Sequence, residues 1–229
     1  MIVGGIGQDK NGYIFARVET EVINVYNSNV TNSFGNIPNQ RLGLEGGLLG
    51  SSPIICGGSL TSLSNDSCLT FQQSQWTQTH TTRVGAGGDS VSVQLNTTTL
   101  WILGGYGDTT EFIRINSSIG IPGPKLPISN LMFPCAVKFA EDQIFVIGGE
   151  NYWNKVFIFN PLNGFTHIEG PSLKTGRRSH SCGLMSHAGQ RKKIVVAGGF
   201  GEHKPQLSSV EIFDPYVNDW VRGKRLHCY

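Results

Sequence analysis

Residues 144–153 read IFVIGGENYW: an apolar run, two adjacent glycines, then a polar and aromatic stretch. Glycine loses more backbone entropy on folding than any other residue and has no side chain to pack. A pair of them closing a strong strand former therefore needs a geometric reason. The pattern recurs at Met1-Ile-Val-Gly4-Gly5, Ile54-Ile-Cys-Gly57-Gly58, Trp101-Ile-Leu-Gly104-Gly105 and Val195-Val-Ala-Gly198-Gly199. With first glycines at 4, 57, 104, 148 and 198, the intervals are 53, 47, 44 and 50 residues, so the chain reads as a repeat. Gly46-Gly47 and Gly87-Gly88 fall out of phase and lack the apolar run.

Other features keep station inside each interval. A second strand-like run follows the glycines at 22–26, 68–71, 111–115, 156–159 and 210–213, several of them ending in an aromatic and turn residues. A further aromatic follows in four units, at Phe34, Trp76, Phe165 and Trp220. An Arg-bearing segment (Arg41, Arg83, Arg177-Arg178) and another strand precede the next glycine pair. No stretch shows helical periodicity, so each unit offers four short strands joined by turns. A four-stranded unit of this length cannot bury both of its faces, whereas units placed radially cover one another, which is the β-propeller solution. The glycine-terminated strand is then an inner one, apolar on both sides. The recurrent aromatics, Trp76 and Trp220 among them, read as wedges between blades.

The sequence thereby resembles the kelch-repeat family, whose unit runs from an apolar strand and GG through a Tyr-like aromatic and a Trp to an Arg. The stretch Val210–Trp220 follows this closely, with Phe213 at the Tyr position. In the unit from Phe145 to Arg178, Phe165 stands for the Trp. The second unit keeps Trp76 and Arg83, the first has Phe34 for Trp, and the third has Ile115 at the aromatic position and no Trp. The resemblance implies an all-β, kelch-type β-propeller of four-stranded antiparallel blades, with residues 1–229 forming a single domain. Four complete blade-lengths and three strands of a fifth are expected. Relatives usually have six or seven blades, so an incomplete propeller, a fragment of a longer chain, is expected over the alternative of a five-bladed propeller that closes on itself by borrowing a strand.

Composition narrows the function. Thirty glycines among many Val, Ile, Thr and Phe suit tight turns and short strands. The net charge of +2 is too small to argue for nucleic acid or membrane surfaces, neither of which is expected as a partner. The charge is uneven, with 5 basic and 8 acidic groups in residues 1–114 and 13 and 8 in the remainder, which reads as a solvated surface. No apolar run approaches the roughly 18–20 residues of a spanning helix, and no secretory signal opens the chain. Five cysteines (Cys56, Cys68, Cys135, Cys182, Cys228) are scattered. Those at 56, 135 and 182 lie in apolar strands and read as buried free thiols, which favours a cytoplasmic over a secreted location. Four N-glycosylation sequons, at Asn29, Asn65, Asn96 and Asn116, keep the secreted alternative open.

No catalytic pattern emerges. The six histidines have no metal-ligand spacing, and neither a Gly-x-Ser-x-Gly elbow nor a phosphate-binding loop is present. His180-Ser-Cys182 is read as strand packing, since Pro134-Cys135 holds the same place one repeat earlier. His227-Cys-Tyr229 contains the residue types of a copper site, but at the chain's end. The expectation is a protein that is not an enzyme and has no cofactor, metal or small-molecule substrate. The resemblance implies a protein-interaction module whose contacts come from residues after each GG and from the loop before each first strand. The candidates are Tyr106, Asp108, Glu150, Tyr152, Trp153 and Phe200, with Arg41, Arg83, Arg178 and Ser179, and Asn151–Asn154 is the first choice for a hot spot. With an upstream dimerisation domain, such a module would be the substrate receptor of a cullin-based ubiquitin ligase. Other relatives bind actin, act as extracellular scaffolds, or are enzymes of the copper-oxidase or sialidase/epimerase-like type.

Overall fold

Short apolar runs broken every few residues by Gly, Pro and Asn favour strands over helices, and strands are what the computed structural model contains. It describes residues 2–3, 6–8, 14–16, 18–23, 29–31, 34–60, 63–64, 66–83, 89–186, 191–203 and 206–226. In chain order the strands are β1 (Ile2–Val3), β2 (Ile6–Gln8), β3 (Ile14–Ala16), β4 (Thr20–Ile23), β5 (Val30–Thr31), β6 (Leu42–Leu49), β7 (Ser52–Leu60), β8 (Leu63–Ser64), β9 (Ser67–Gln72), β10 (Gln75–Thr81) and β11 (Ser90–Asn96). The remainder are β12 (Thr99–Gly104), β13 (Glu111–Arg114), β14 (Ile121–Pro122), β15 (Cys135–Ala140), β16 (Gln143–Ile147), β17 (Val156–Asn160), β18 (Thr166–Glu169), β19 (Ser181–Met185), β20 (Lys193–Ala197), β21 (Val210–Asp214) and β22 (Asp219–Arg222). A 3-10 turn, Pro161–Asn163, is capped by Asn160, whose Oδ1 accepts from the N–H groups of Leu162 and Asn163.

The sheets are antiparallel and follow the repeat. A three-stranded sheet β1-β4-β5 comes first, then β6-β7-β9-β10, β11-β12-β13-β14, β15-β16-β17-β18 and β19-β20-β21-β22. This is the expected count of four blade-lengths and three further strands. Two additions were not foreseen: the hairpin β2-β3, and β8, which pairs with the end of β7. The chain divides into two compact units, residues 1–103 with 109–123 and residues 104–108 with 124–229.

In the first unit, residues 99–103 of β12 are all buried. Leu100, Ile102 and Ile113 form one core with Leu49, Ile54, Cys56 and Cys68, while Ile37, Ile55, Leu69 and Trp76 form a second. In the second unit, β16 buries four consecutive residues and the outermost strand β18 buries none. Phe145 and Ile147 of β16 pack with Val156, Leu173, Ile194, Val196, Phe213 and Trp220. Strands sandwiched between sheets must be apolar on both faces, so their run is continuous rather than alternating.

The glycine pairs have their geometric reason. Gly148 and Gly149 have φ of +60° and +104°, and a Cβ on Gly148 would lie 2.5 Å from the Arg177 carbonyl oxygen. The chain leaves the strand through left-handed backbone directly against a neighbouring main chain, which only glycine permits. The pairs at 57–58, 104–105 and 198–199 share the positive φ; Gly4 and Gly5 lie outside the described residues.

Pairing register corrects the alignment of the aromatics. Phe71 faces Trp76 and Phe213 faces Trp220 across the third and fourth strands of their sheets. At the same place in the unit between them, Phe159 faces His167, with ring centroids 5.5 Å apart. His167, not Phe165, therefore holds the Trp position; Phe165 sits in the turn at φ +59°. In the third unit the aromatic position belongs to Ile113, fully buried opposite Leu100, and not to the exposed Ile115. Trp76 and Trp220 are buried wedges as expected, and Trp220 Nε1 donates to the Pro171 carbonyl oxygen at 2.8 Å.

The free-thiol expectation is overturned. Cys56 and Cys68 are direct cross-strand partners on β7 and β9 and form a disulfide. Cys135, the first residue of β15, and Cys182, the second residue of β19, form a second. Equivalence by repeat implies the same position for these two, but register sets them one residue apart. Cys135 lies opposite Ile147 and Cys182 opposite Val196, so they point to opposite faces of successive sheets and meet between them.

Candidate protein-interaction surface

The segment before each first strand carries two arginine roles that the sequence merged. Arg177 is fully buried; its Nη1 donates to the carbonyl oxygens of Gly198 (2.9 Å) and Ser209 (3.1 Å), and its Nη2 to Ser209 Oγ and Glu211 Oε1. Glu211, also buried, accepts the N–H groups of Lys174 and Thr175. Arg41 repeats the clamp in kind three repeats earlier, donating to Gly57 O (3.1 Å), Ser67 O (2.8 Å) and Ser67 Oγ (2.7 Å). A buried guanidinium thus ties the first strand to the carbonyl of the first glycine and to the start of the third strand. Arg41 is 2 % exposed and leaves the candidate contact set. Arg83 is exposed, its N–H donating to Glu111 Oε2 at 2.9 Å, and it lies in the other unit from Arg178.

Arg178 has the other role. The turn at Ser179, φ +51°, directs the chain past the end of β19, and Ser179 N–H donates to Phe133 O. Phe133 itself has φ +55°, so two non-glycine residues hold left-handed backbone at equivalent places. Strain of this kind persists only where its surroundings enforce it, and it clusters at ligand-contacting sites. The Arg178 guanidinium lies 5.3 Å from the Phe133 ring centroid and 5.9 Å from those of Trp153 and Phe200. It also pairs with Glu150 at 3.3 Å, both side chains about one-third exposed. Reciprocal backbone hydrogen bonds between Arg178 and Phe200 fix the approach, and Glu150 N–H donates to Met132 O. Four sequence-predicted residues, Glu150, Trp153, Arg178 and Phe200, thus converge on one cluster, with Ser179 beside it. Phe133 was missed because its residue type carries no signal before a strand.

The cluster continues along neighbouring loops of the second unit. Asn151 Nδ2 donates to Asn130 O, and Asn130 in turn exchanges hydrogen bonds with Gly107. Asp108 pairs with Lys125, and Tyr106 stands 73 % exposed. Tyr152 turns back instead: its hydroxyl donates to Ser129 O and its ring meets Phe157 edge-on at 6.1 Å. Trp153 is half-buried beneath Arg178. Of the two hot-spot aromatics, Tyr152 is thus held against its own chain, and the more exposed apolar surface comes from Tyr106 and Phe200.

His180, next in sequence to Ser179, is 7 % exposed with neither ring nitrogen hydrogen-bonded. Burial, reinforced by the charge of Arg177, lowers its pKa to about 3, so the ring is neutral near pH 7. Its sequence neighbour Cys182 is tied to Cys135, so no thiol–imidazole pair exists there. Among the described residues, no three His, Cys, Asp or Glu side chains gather as metal ligands, and no helix is long and apolar enough to cross a membrane. His227 and Tyr229 lie outside the described residues.

Repeat, register and clamp together define a kelch-type β-propeller fold. Residues 181–226, the last sheet with its Phe213 and Trp220, match the Kelch motif family model, so the kelch resemblance holds. The solved structure titled "Structure of YjhT" superimposes with a TM-score of 0.77 at 12 % identity, covering 97 % of this chain and 80 % of that one, a likeness of fold alone. A search of curated proteins returned no match.

Proposed function

We propose that the chain is a non-catalytic protein-interaction module that contacts its partner through the loop cluster around Arg178. The observation that carries this reading is a guanidinium held by three aromatic rings and Glu150, with Phe200 and Tyr106 exposed nearby. Aromatic and arginine side chains dominate binding energy at protein interfaces, and a partly desolvated arginine with a fixed orientation loses little entropy on binding. The kelch motif supports an interaction role of this kind. Within it, the receptor of a cullin-based ligase and the extracellular scaffold use the same surface and differ in compartment.

A photo-crosslinking residue placed at Phe200 or Tyr106 is expected to capture one and the same protein from the native source. The same residue at the exposed Ile168 of β18 serves as the control. Capture from Ile168 alone, or of unrelated proteins from Phe200 and Tyr106, would refute the placement.

A further inference from the structure

We propose that this chain is a secretory-pathway glycoprotein, carrying N-linked glycans at Asn96 and Asn116 and stabilised by its two disulfides. This stands independently of the reading of the Arg178 cluster. The two lines of support come from different chemistry and agree. The first is the cysteine pairing, Cys56–Cys68 and Cys135–Cys182. Each pair forms by giving two electrons and two protons to a disulfide-bearing oxidoreductase. Such bonds persist in oxidising compartments, whereas glutathione and thioredoxin keep cytosolic thiols reduced.

The second is the placement of the sequons. Asn96 ends β11 at the tip of its hairpin with β12, and Asn116 follows β13 in the turn leading to β14; both are exposed. A bulky glycan on a hairpin tip meets solvent, whereas on a sheet face it would displace a neighbouring strand. At Asn96 the acceptor geometry is already set. Thr98, the hydroxyl residue of the sequon, donates to Asn96 Oδ1 through its N–H (2.9 Å) and its Oγ (3.0 Å). Both bonds engage the oxygen and leave out Nδ2, the atom to be modified. Thr98 Oγ thus stands where it polarises the acceptor amide.

The transfer balances as follows. Asn Nδ2 forms a bond to the anomeric carbon of a lipid-diphosphate-linked oligosaccharide. The bond from that carbon to the phosphate oxygen breaks, its electron pair leaves with the lipid diphosphate, and the proton lost from Nδ2 passes to a base of the transferase. Asn29 is exposed as well, and Asn65 lies outside the described residues.

The test uses protein isolated from its native source. Treatment with peptide-N-glycosidase should increase its mobility on a denaturing gel and convert Asn96 and Asn116 to aspartate in tryptic peptides. Without prior reduction, peptides carrying Cys56 and Cys68, or Cys135 and Cys182, should be recovered cross-linked. In cells secreting the full chain, Thr98→Ala should remove the glycan at Asn96 alone, and Ser118→Ala that at Asn116 alone. An asparagine unmodified throughout would overturn the assignment at that position. Cysteines 56, 68, 135 and 182 that alkylate before reduction would overturn the compartment.

Discussion

Consecutive residues in the segment from Arg177 to His180 do unlike work, and the sequence alone cannot separate them. Arg177 and Arg178 look interchangeable in a repeat that asks only for an arginine. Register decides: one is buried against Gly198 and Ser209, the other is a third exposed among aromatic rings. Arg41 was misread for the same reason, because burial of a charged side chain depends on carbonyl groups distant in sequence. His180 gives a prediction at this scale. Its folded pKa, about 3, lies below the ordinary value of 6.5, so below pH 6.5 the unfolded chain binds a proton that the folded chain refuses. Stability is thus undiminished by this group above pH 6.5 and falls by up to about 1.4 kcal/mol per pH unit toward pH 3. Denaturant melts from pH 7 to pH 4 should show a shallower loss for His180→Leu than for wild type. Parallel pH profiles would show that the ring is protonated in the fold.

Among the elements, the strand that ends in two glycines was legible from the chain alone, because a backbone requirement leaves few residue choices. The phase of the repeat and the number of strands were legible with it. What stayed hidden were substitutions at equivalent positions, His167 for Trp and Ile113 for an aromatic, where only cross-strand register identifies the site. Gly46 and Gly47, set aside as out of phase, have a role of their own on β6. Ser92 and Gln94 of β11 reach across to the backbone of Gly46 and Leu48, and a Cβ on Gly47 would collide with Leu100 and Gln94. The arginine clamp also works at this scale, since it joins three strands of one sheet. Arg177→Ala leaves Glu211 buried without its cation and should cost about 3–5 kcal/mol, read as a lower urea midpoint at unchanged slope. A midpoint equal to wild type would mean that the clamp follows from the fold rather than holding it.

For the molecule as a whole, the division of labour is between a repeated framework and loops that differ from unit to unit. Glycine pairs, clamps and aromatic wedges recur and therefore say nothing of the task. The residues after the glycine pairs differ, with Tyr106, Glu150 and Phe200 at equivalent places, and Phe133, Trp153 and Phe200 surround Arg178. The sequence pointed to this cluster through the position of its loops, yet the Cys135–Cys182 pair escaped it because strands forty-seven residues apart must first be placed side by side. The Cys56–Cys68 pair escaped because only cross-strand register sets them opposite. On the function proposed above, Arg178 serves binding while its neighbour Arg177 serves the framework. This division is tested most directly by the affinity of the crosslinked partner for Arg178→Ala. Binding at least about 10-fold weaker is expected, with the melting temperature essentially that of wild type. Unchanged affinity, or weaker binding accompanied by the stability loss expected of Arg177→Ala, would contradict it.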